Sequence, residues 1–171
     1  MSAKAAAIAL IDPKSPSNVG AVMRAAGCYS AEHVFYSGER YDRAAKFHTD
    51  TKNVSARIAL THIDDIASLK QPSRALVCVD LIEGATPLPQ FEHPENAVYI
   101  FGPEDGSISQ RLVDIADAVV YVPTVGCMNL AASVNVLLYD RLAKMTDQFE
   151  GDAQIRRSRD TNNKVSVRSS L

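Results

Sequence analysis

The chain alternates short apolar runs with helical segments, and this alternation constrains its fold more than any other feature. Apolar runs of strand length occupy residues 5–11, 33–36, 57–60, 75–79, 97–101 and 118–122. Helical patterns occupy residues 18–27, 40–47, 64–69, 109–115 and 129–144. A helix between two strands returns the chain to the same edge of a sheet, so the strands become parallel. We therefore predict an α/β fold with a mostly parallel sheet and helices on both faces.

Length and composition are those of one globular domain followed by a tail. The chain has 171 residues, of which 46% are hydrophobic, and this is enough for a substantial core. After Phe149 the sequence turns polar and loses its periodicity. We therefore predict a domain at residues 1–150 and a flexible, basic tail at residues 151–171.

The tail differs in charge from the rest of the chain. Residues 154–171 contain five Lys or Arg and one Asp, so 13 of the 18 basic and 19 of the 20 acidic residues precede them. A basic arm on an acidic body attracts polyanions such as RNA, and Arg156, Arg157 and Arg159 are the candidate RNA-binding residues. A solvated end with no binding role is the alternative that the tail alone leaves open.

Neither a membrane protein nor a metalloprotein is indicated by the sequence. No run reaches the roughly 18 apolar residues of a membrane-spanning helix, and residues 5–11 are too short for a convincing signal peptide. Cys28, Cys78 and Cys127 are odd in number and lack the spacing of a zinc site. We predict reduced thiols in a cytoplasmic protein that needs no metal.

Three separated segments carry polar residues at the ends of predicted strands, where α/β proteins bind ligands. The first is Asn18-x-Gly20-x-x-x-Arg24, with Ser17 or Asn18 as the predicted helix cap. Arg24 suits a phosphate or a developing oxyanion and lies under two helical turns from Asn18. Both side chains can therefore face one cleft. An exposed Arg behind an ordinary helix cap is the alternative interpretation.

The second segment is a glycine-containing turn after the strand at 97–101. It reads Phe101-Gly102-Pro103-Glu104-Asp105-Gly106 and has the pattern of neither a P-loop nor a dinucleotide-binding turn. Gly102 can present backbone groups to a flat ligand, and Glu104 can accept hydrogen bonds from the first segment, including from Arg24. A strand-ending turn with solvated carboxylates is the alternative.

The third segment connects the strand at 118–122 to the longest helical pattern. It reads Val122-Pro123, then Gly126-Cys127-Met128-Asn129-Leu130. The polar edge of a ligand can pair with the backbone of such a loop. Asn129 can instead be only a helix N-cap, and Cys127 only a small buried residue.

Together and in this order, the three segments resemble the signature motifs of the SpoU/TrmH family of SPOUT RNA methyltransferases. The first family motif, Asn-x-Gly-x-x-x-Arg, matches at residues 18–24. The second, Phe-Gly-x-Glu-x-x-Gly, matches from Phe101 to Glu104 and then differs, because Gly106 falls one place early. The third matches at residues 122–124 and 127–130, with Cys127 where family members commonly carry Ser. The resemblance covers residues 5–145.

The resemblance implies a C-terminal trefoil knot and a homodimer with the active site near the subunit interface. The predicted helix at 129–142 is apolar nearly all round, which also favours burial against a second subunit. The implied cofactor is S-adenosylmethionine (SAM), and the methyl acceptor is a ribose 2′-hydroxyl of RNA. The chain carries no N-terminal RNA-binding domain, which favours tRNA over rRNA. The implied cofactor-binding residues are Asp80, Leu81, Gly102, Val122, Cys127 and Leu130.

The resemblance also assigns catalysis to Arg24, Asn18, Glu104 and Asn129. The methyl group of SAM is already activated, so the enzyme must align the hydroxyl and stabilise the emerging alkoxide. Arg24 can act as a base or as an electrostatic stabiliser, although an Arg side chain almost never loses its proton. Asn18 and Glu104 would orient Arg24 and the ribose, and Asn129 would shape the pocket.

Two other functions compete with this interpretation. A thiol donates hydrogen bonds less well than a hydroxyl, so Cys127 slightly favours a knotted RNA-binding homologue that has lost catalysis. The presence of Asn18, Arg24, Glu104 and Asn129 opposes that alternative. The third is a nucleotide-binding α/β protein without an RNA substrate, and the three motifs together oppose it.

Overall fold

A computed structural model of the protein describes residues 5–46 and 58–167. Over these residues the strands are β1 (Ala6–Leu10), β2 (His33–Tyr36), β3 (Ala59–His62), β4 (Ala75–Val79), β5 (Thr86–Pro87), β6 (Ala97–Phe101) and β7 (Ala118–Tyr121). They form one sheet of order β3-β2-β1-β6-β4-β7-β5 in which neighbouring strands are parallel. The predicted α/β class with a parallel sheet is confirmed.

Helices cover both faces of this sheet, as predicted. They are α1 (Pro16–Cys28), α2 (Arg40–Ala45), α3 (Gln110–Ile115), α4 (Leu130–Met145) and α5 (Asp152–Ser158), with 3-10 turns at Ile66–Leu69 and Leu88–Gln90. The helices α1 and α4 pack together on one face and bury Val22 and Leu137. Leu69 and Leu112 lie in the core of the opposite face. No helix within residues 5–46 and 58–167 is long and apolar enough to cross a membrane.

Four neighbouring strands end level with one another at the carboxyl edge of the sheet. Leu10 pairs with Phe101, Phe101 with Val79, and Val79 with Val120. All residues of the central strands β1 and β6 are buried, because helices shield both of their faces. The loops after β1, β4, β6 and β7 therefore converge at one edge, which is where parallel α/β sheets bind ligands.

The first helix begins earlier than predicted. Ser15 is its N-cap and accepts a hydrogen bond from the backbone N–H of Asn18 at 3.3 Å. Pro16 occupies the first turn, where its missing N–H is no loss and its fixed φ suits a helix. The prediction of Ser17 or Asn18 as the cap was therefore wrong, and the side chain of Asn18 is left available for other partners.

Several short elements also differ from the sequence prediction. The strand predicted at 57–60 is observed at Ala59–His62, and residue 57 lies outside the described residues, as does residue 47 at the end of the predicted helix 40–47. The predicted helix at 64–69 is a 3-10 turn, capped by Asp65 through the N–H of Ala67 at 3.0 Å. The elements β5, Leu88–Gln90 and α5 were not predicted, because the first two are very short and α5 is too polar to show a hydrophobic period.

Candidate active site

A cleft of about 270 Å³ opens at the carboxyl edge of the sheet. The ends of β4 and β6, the loop after β7 and the first turns of α1 and α4 contribute to its lining. All three sequence motifs therefore reach the same cavity, although they lie far apart in the chain. The register of the strand ends produces this convergence, since it brings the loops that follow those strands side by side.

A chain of side-chain hydrogen bonds connects the three motifs at this cleft. The Nδ2 of Asn18 donates to Oε1 of Glu104 at 2.8 Å, and the Nδ2 of Asn129 donates to Oδ1 of Asn18 at 3.1 Å. Glu104 also accepts from the backbone N–H of Lys14 at 3.1 Å. The amide nitrogen and the amide oxygen of Asn18 each have a partner, so the neighbouring side chains determine which way the amide group points.

Asn129 is both a helix cap and a member of this chain. Its Oδ1 accepts from the backbone N–H groups of Ala131 and Ala132 at 2.9 and 3.3 Å, which caps α4. Its Nδ2 points away from the helix toward Asn18. The two interpretations left open for Asn129 by the sequence are therefore compatible with each other.

Asp80 joins the end of β4 to the loop after β6. Its two carboxylate oxygens accept from the backbone N–H groups of Leu81 at 2.8 Å and Ile108 at 3.0 Å. This bridge leaves little room beside Gly102: a Cβ there would lie 3.3 Å from the backbone nitrogen of Ile108 and 3.4 Å from Oδ2 of Asp80. The packing therefore favours glycine at the floor of the cleft.

The loop after β7 forms another part of the lining through Val122, Thr124, Cys127 and Leu130. Thr124 Oγ1 donates to the carbonyl of Gly126 at 2.6 Å, which stabilises a tight turn. Cys127 is exposed to the cleft, so the alternative that it is a small core residue was wrong. A free thiol therefore faces any bound ligand.

The charge of the cleft is negative. Among the described residues that line it, Asp80 and Glu104 are the charged side chains, and both are carboxylates. Positive groups lie on the outer side of the loop that carries Glu104, where Lys14 and Arg40 approach Asp105. The Arg40 guanidinium lowers the pKa of Asp105 through a direct hydrogen bond. Cationic ligands are thus favoured inside the cleft.

The described residues contain no group of three or more His, Cys, Asp or Glu side chains that could hold a metal ion.

A family model described as the SpoU rRNA Methylase family matches residues 5–139. The chain belongs to the SpoU rRNA methylase family. The predicted family is therefore confirmed over the domain that carries the cleft. No curated protein matches this SpoU chain by sequence.

Solved structures of SpoU methyltransferases share the fold of this chain. AviRb from Streptomyces viridochromogenes, solved in complex with AdoMet, superposes with a TM-score of 0.68 at 16% identity over 85% of this chain and 59% of its own. The TrmH/SpoU tRNA modifying enzyme from A. aeolicus superposes with a TM-score of 0.65 at 16% identity, over 82% of this chain and 75% of its own. A structure concerned with the 2-OH methylation of C/U34 on tRNA superposes with a TM-score of 0.65 at 18% identity, over 82% of this chain and 90% of its own. This chain covers less than two thirds of the length of two matched structures, AviRb and an rRNA methyltransferase from Sinorhizobium meliloti.

The structure brings together nearly all of the residues that the sequence analysis predicted. The six predicted cofactor-binding residues all line the cleft, namely Asp80, Leu81, Gly102, Val122, Cys127 and Leu130. Three of the predicted catalytic residues, Asn18, Glu104 and Asn129, line it as well. Each lies at or near the end of a regular element, and the family resemblance had implied all nine.

Arg24 is the exception. It is exposed and does not line the cleft, and its side chain forms no hydrogen bond or ion pair with another described residue. The expected hydrogen bond from Arg24 to Glu104 is absent, and that carboxylate instead accepts from Asn18 and from the backbone N–H of Lys14. Arg24 lies instead on the outer stripe of α1 with Ala21 and Cys28, three or four residues apart.

The predicted RNA-binding arginines lie on or next to α5, which is exposed along its whole length. Arg156 forms an ion pair with Asp152 at 3.6 Å, and Arg157 forms one with Glu150. Arg159 is the C-cap residue and donates to the carbonyl of Val165 at 3.4 Å. Exposed pairs of this kind are weak and can exchange partners.

Proposed function

We propose that this chain is a SAM-dependent RNA methyltransferase that modifies a ribose 2′-hydroxyl. The observation that carries the proposal is the hydrogen-bonded chain Glu104–Asn18–Asn129, which joins one residue from each family motif at one cleft. An ordinary turn or helix cap needs no partner from a second motif. Membership of the SpoU family supports the same activity.

The lining of the cleft fits SAM in both polarity and charge. Val79, Leu81 and Leu130 offer apolar surface to an adenine ring, and the loops after β6 and β7 offer backbone N–H and C=O groups. The two carboxylates of the lining suit a sulfonium cation. When bound there, SAM supplies an electrophilic methyl group.

Asn18, Glu104 and Asn129 hold the acceptor ribose in this proposal, and Arg24 stabilises its oxygen. The three residues are already hydrogen-bonded to one another, so the order that alignment requires is present before substrate binds. An arginine side chain almost never loses its proton in a protein, which favours stabilisation of the alkoxide over abstraction of the hydroxyl proton. Its exposed guanidinium has its donors available for an RNA phosphate or a ribose oxygen.

We further propose that the RNA is a tRNA and that the basic tail contributes to its binding. Two structures that share this fold concern a tRNA modifying enzyme and methylation on tRNA. The ion pairs of Arg156 and Arg157 lie on the surface, so phosphate groups can replace Asp152 and Glu150 as their partners.

A homodimer is the proposed assembly. The exposed residues of α4 are Ala132, Asn135, Val136, Tyr139, Ala143 and Lys144, and α4 packs against α1. Small and apolar residues at helical spacing suit helix packing across an interface. A second copy packed on this surface would place Arg24 at the subunit boundary. The trefoil knot expected from the family would lie at the same boundary.

The decisive experiment measures SAM binding and methyl transfer separately. Calorimetry with SAM and its demethylated product is expected to give dissociation constants in roughly the micromolar range. Radiolabelled SAM is then incubated with bulk tRNA or rRNA from cells that lack this protein. Label at a ribose 2′-oxygen of tRNA is the expected result, and label on a base or on rRNA would contradict the corresponding part of the proposal.

Two variants complete this experiment. Removal of residues 152–171 is expected to weaken RNA binding and flatten its salt dependence while leaving SAM binding unchanged. Unchanged RNA affinity would make the tail a solvated end. Gly102→Val is the control for the cleft, and it should abolish SAM binding because the site beside Ile108 is crowded. RNA binding without any SAM binding by the wild type would favour the non-catalytic homologue.

A further inference from the structure

Arg40 connects the loops that carry the proposed catalytic residues, although it belongs to none of the three motifs. Its Nη1 donates to both carboxylate oxygens of Asp105 at 2.9 and 2.8 Å, in the loop after β6. Its Nε lies 2.8 Å from the carboxylate of Asp12 in the loop after β1, and its Nη2 donates to the Asp12 carbonyl at 2.6 Å. One guanidinium at the start of α2 therefore joins two loops.

The backbone around this contact has little freedom to rearrange. Asp12 has a φ of +40°, which is uncommon for a residue with a side chain. Gly38 has a φ of +78°, and a Cβ there would lie 2.1 Å from Oδ1 of Asp12. The loop before α2 therefore packs directly against the Asp12 side chain, and glycine is required at that position.

The loops held by Arg40 are those that place Glu104. Glu104 precedes Asp105, and its carboxylate accepts from the backbone N–H of Lys14, two residues after Asp12. If the contact with Arg40 were lost, both ends of that hydrogen bond could move. Lys14 adds a longer ion pair to Asp105 at 3.9 Å, but its side chain is more exposed than that of Arg40.

A direct role for Arg40 in RNA or cofactor binding does not fit its surroundings. Its side chain is 31% exposed and does not line the cleft. Its Nε and both terminal nitrogens already have acceptors on Asp12 or Asp105. A phosphate would have to displace these carboxylates and the backbone carbonyl before it could bind.

We propose that Arg40 is a positioning residue that holds the Asp12 and Asp105 loops together and thereby keeps Glu104 in place for methyl transfer. The catalytic part of this inference rests on the proposed function. The structural part does not, because it concerns the order of two loops in the free protein. The role is that of a support for Glu104, since Arg40 reaches neither the cleft nor its proposed ligands.

The test combines hydrogen exchange with steady-state kinetics on Arg40→Ala, Arg40→Lys and Asp105→Asn. Arg111→Ala is the matched control, because Arg111 forms an equivalent two-point pair with Asp65 outside the cleft. Arg40→Ala is expected to speed amide exchange at residues 12–18 and 102–107 by at least about tenfold, as expected when local opening becomes easier. The value of kcat is expected to fall roughly 10-fold to 100-fold, while the dissociation constant for SAM changes by less than about threefold.

Arg40→Lys should recover only part of kcat, because an ammonium cannot reproduce the fork that binds Asp105 and the Asp12 carbonyl together. Unchanged exchange and unchanged kcat in Arg40→Ala would overturn the proposal. If Arg40→Ala does not fold, the same measurements on Arg40→Lys and Asp105→Asn test the proposal. Wild-type amide exchange and wild-type kcat in both variants would overturn the proposal. If the wild type transfers no methyl group, the proposed function fails, and the exchange measurement still decides whether Arg40 orders the loops.

Discussion

At the scale of single residues, the side-chain amide of Asn129 has different partners at its two ends. Its oxygen caps α4, while its nitrogen donates to Asn18. Asp in its place would keep the cap and lose the donor, and Ser would be too short to serve both. One side chain therefore both stabilises a helix and orders the proposed site.

Arg24 is the residue whose proposed role is most open to test. Arg24→Ala is expected to lower kcat by roughly 100-fold or more, since a group that stabilises developing charge acts mainly in the transition state. The dissociation constant for SAM should stay within about threefold of the wild-type value, because Arg24 does not line the cleft. Single-turnover transfer to tRNA and calorimetry measure the two quantities.

Two further variants control this measurement. Arg24→Lys should remain well below wild type, because a point charge replaces a planar fork. Arg111→Ala, which removes an exposed Arg on α3, should transfer methyl groups at the wild-type rate. Near-normal turnover in Arg24→Ala would exclude Arg24 from the chemistry.

At the scale of elements, a buried polar network anchors the second half of α4. Arg141 is buried and donates to the Tyr99 hydroxyl at 2.9 Å and to the carbonyls of Pro94 and Glu95, each at 2.6 Å. His93 lies between Tyr99 and Asp140, 2.7 and 2.8 Å from their oxygens. The helix that begins with Asn129 at the cleft is thus tied at its other end to the chain before β6.

This network predicts that stability falls in mild acid. Burial lowers the pKa of His93, against the opposing effect of Asp140 and with help from the positive charges of Arg141 and Lys144. The unfolded chain therefore binds a proton at His93 more readily than the folded protein does. The contribution of neutral His93 to stability is fully present above about pH 6.5 and is lost as the pH falls below that value. Thermal unfolding between pH 8 and pH 5 measures this loss in terms of Tm.

His93→Gln is the control for this pH dependence. Glutamine can donate and accept hydrogen bonds but does not titrate, so the Tm of this variant should fall less between these pH values than that of the wild type. Equal losses of Tm in the two proteins would show that His93 is not responsible for the acid sensitivity.

At the scale of the whole molecule, α1 and α4 together present a surface that a single chain leaves in water. Val136 and Tyr139 are 38% and 61% exposed, while Val134, Leu137 and Leu138 on the same helix are buried. The sequence analysis predicted that this helix is apolar nearly all round, and the structure shows which of its residues its own core covers. The rest form the surface proposed for the second subunit.

We expect a dimer in solution that this surface holds together. Val136→Glu or Tyr139→Glu should raise the dimer dissociation constant by at least roughly 30-fold, which is typical of residues at the centre of an interface. Methyl transfer should fall with it, because Arg24 lies on the same surface. Light scattering or sedimentation across a concentration series measures the assembly.

Val165→Glu is the matched control, because Val165 is an exposed apolar residue of the tail, beyond α5. It should leave the dimer unchanged. A wild-type monomer at micromolar concentration, or normal assembly of both α4 variants, would contradict the proposed interface.

The amino-acid sequence by itself determined the fold class, the family and most of the cleft. Strand and helix periods are local patterns, and each motif is a short run at the end of one element, so both can be recognised without knowing the strand order. Nine of the ten residues predicted for cofactor binding or catalysis line the cleft. Cys127 is one of them, and its exposure was not decided by the sequence.

Only the tertiary structure decided which of these residues touch. Asn18 meets Glu104 and Asn129 across 86 and 111 positions of sequence, because β6 lies between β1 and β4 in the sheet. The same structure turned Arg24 away from the cleft and placed Arg40 between two loops, outside any motif. Contacts of this kind depend on strand order and on the rotation of each helix about its axis. Strand order leaves no local pattern in the sequence, since the packing of the whole core settles it.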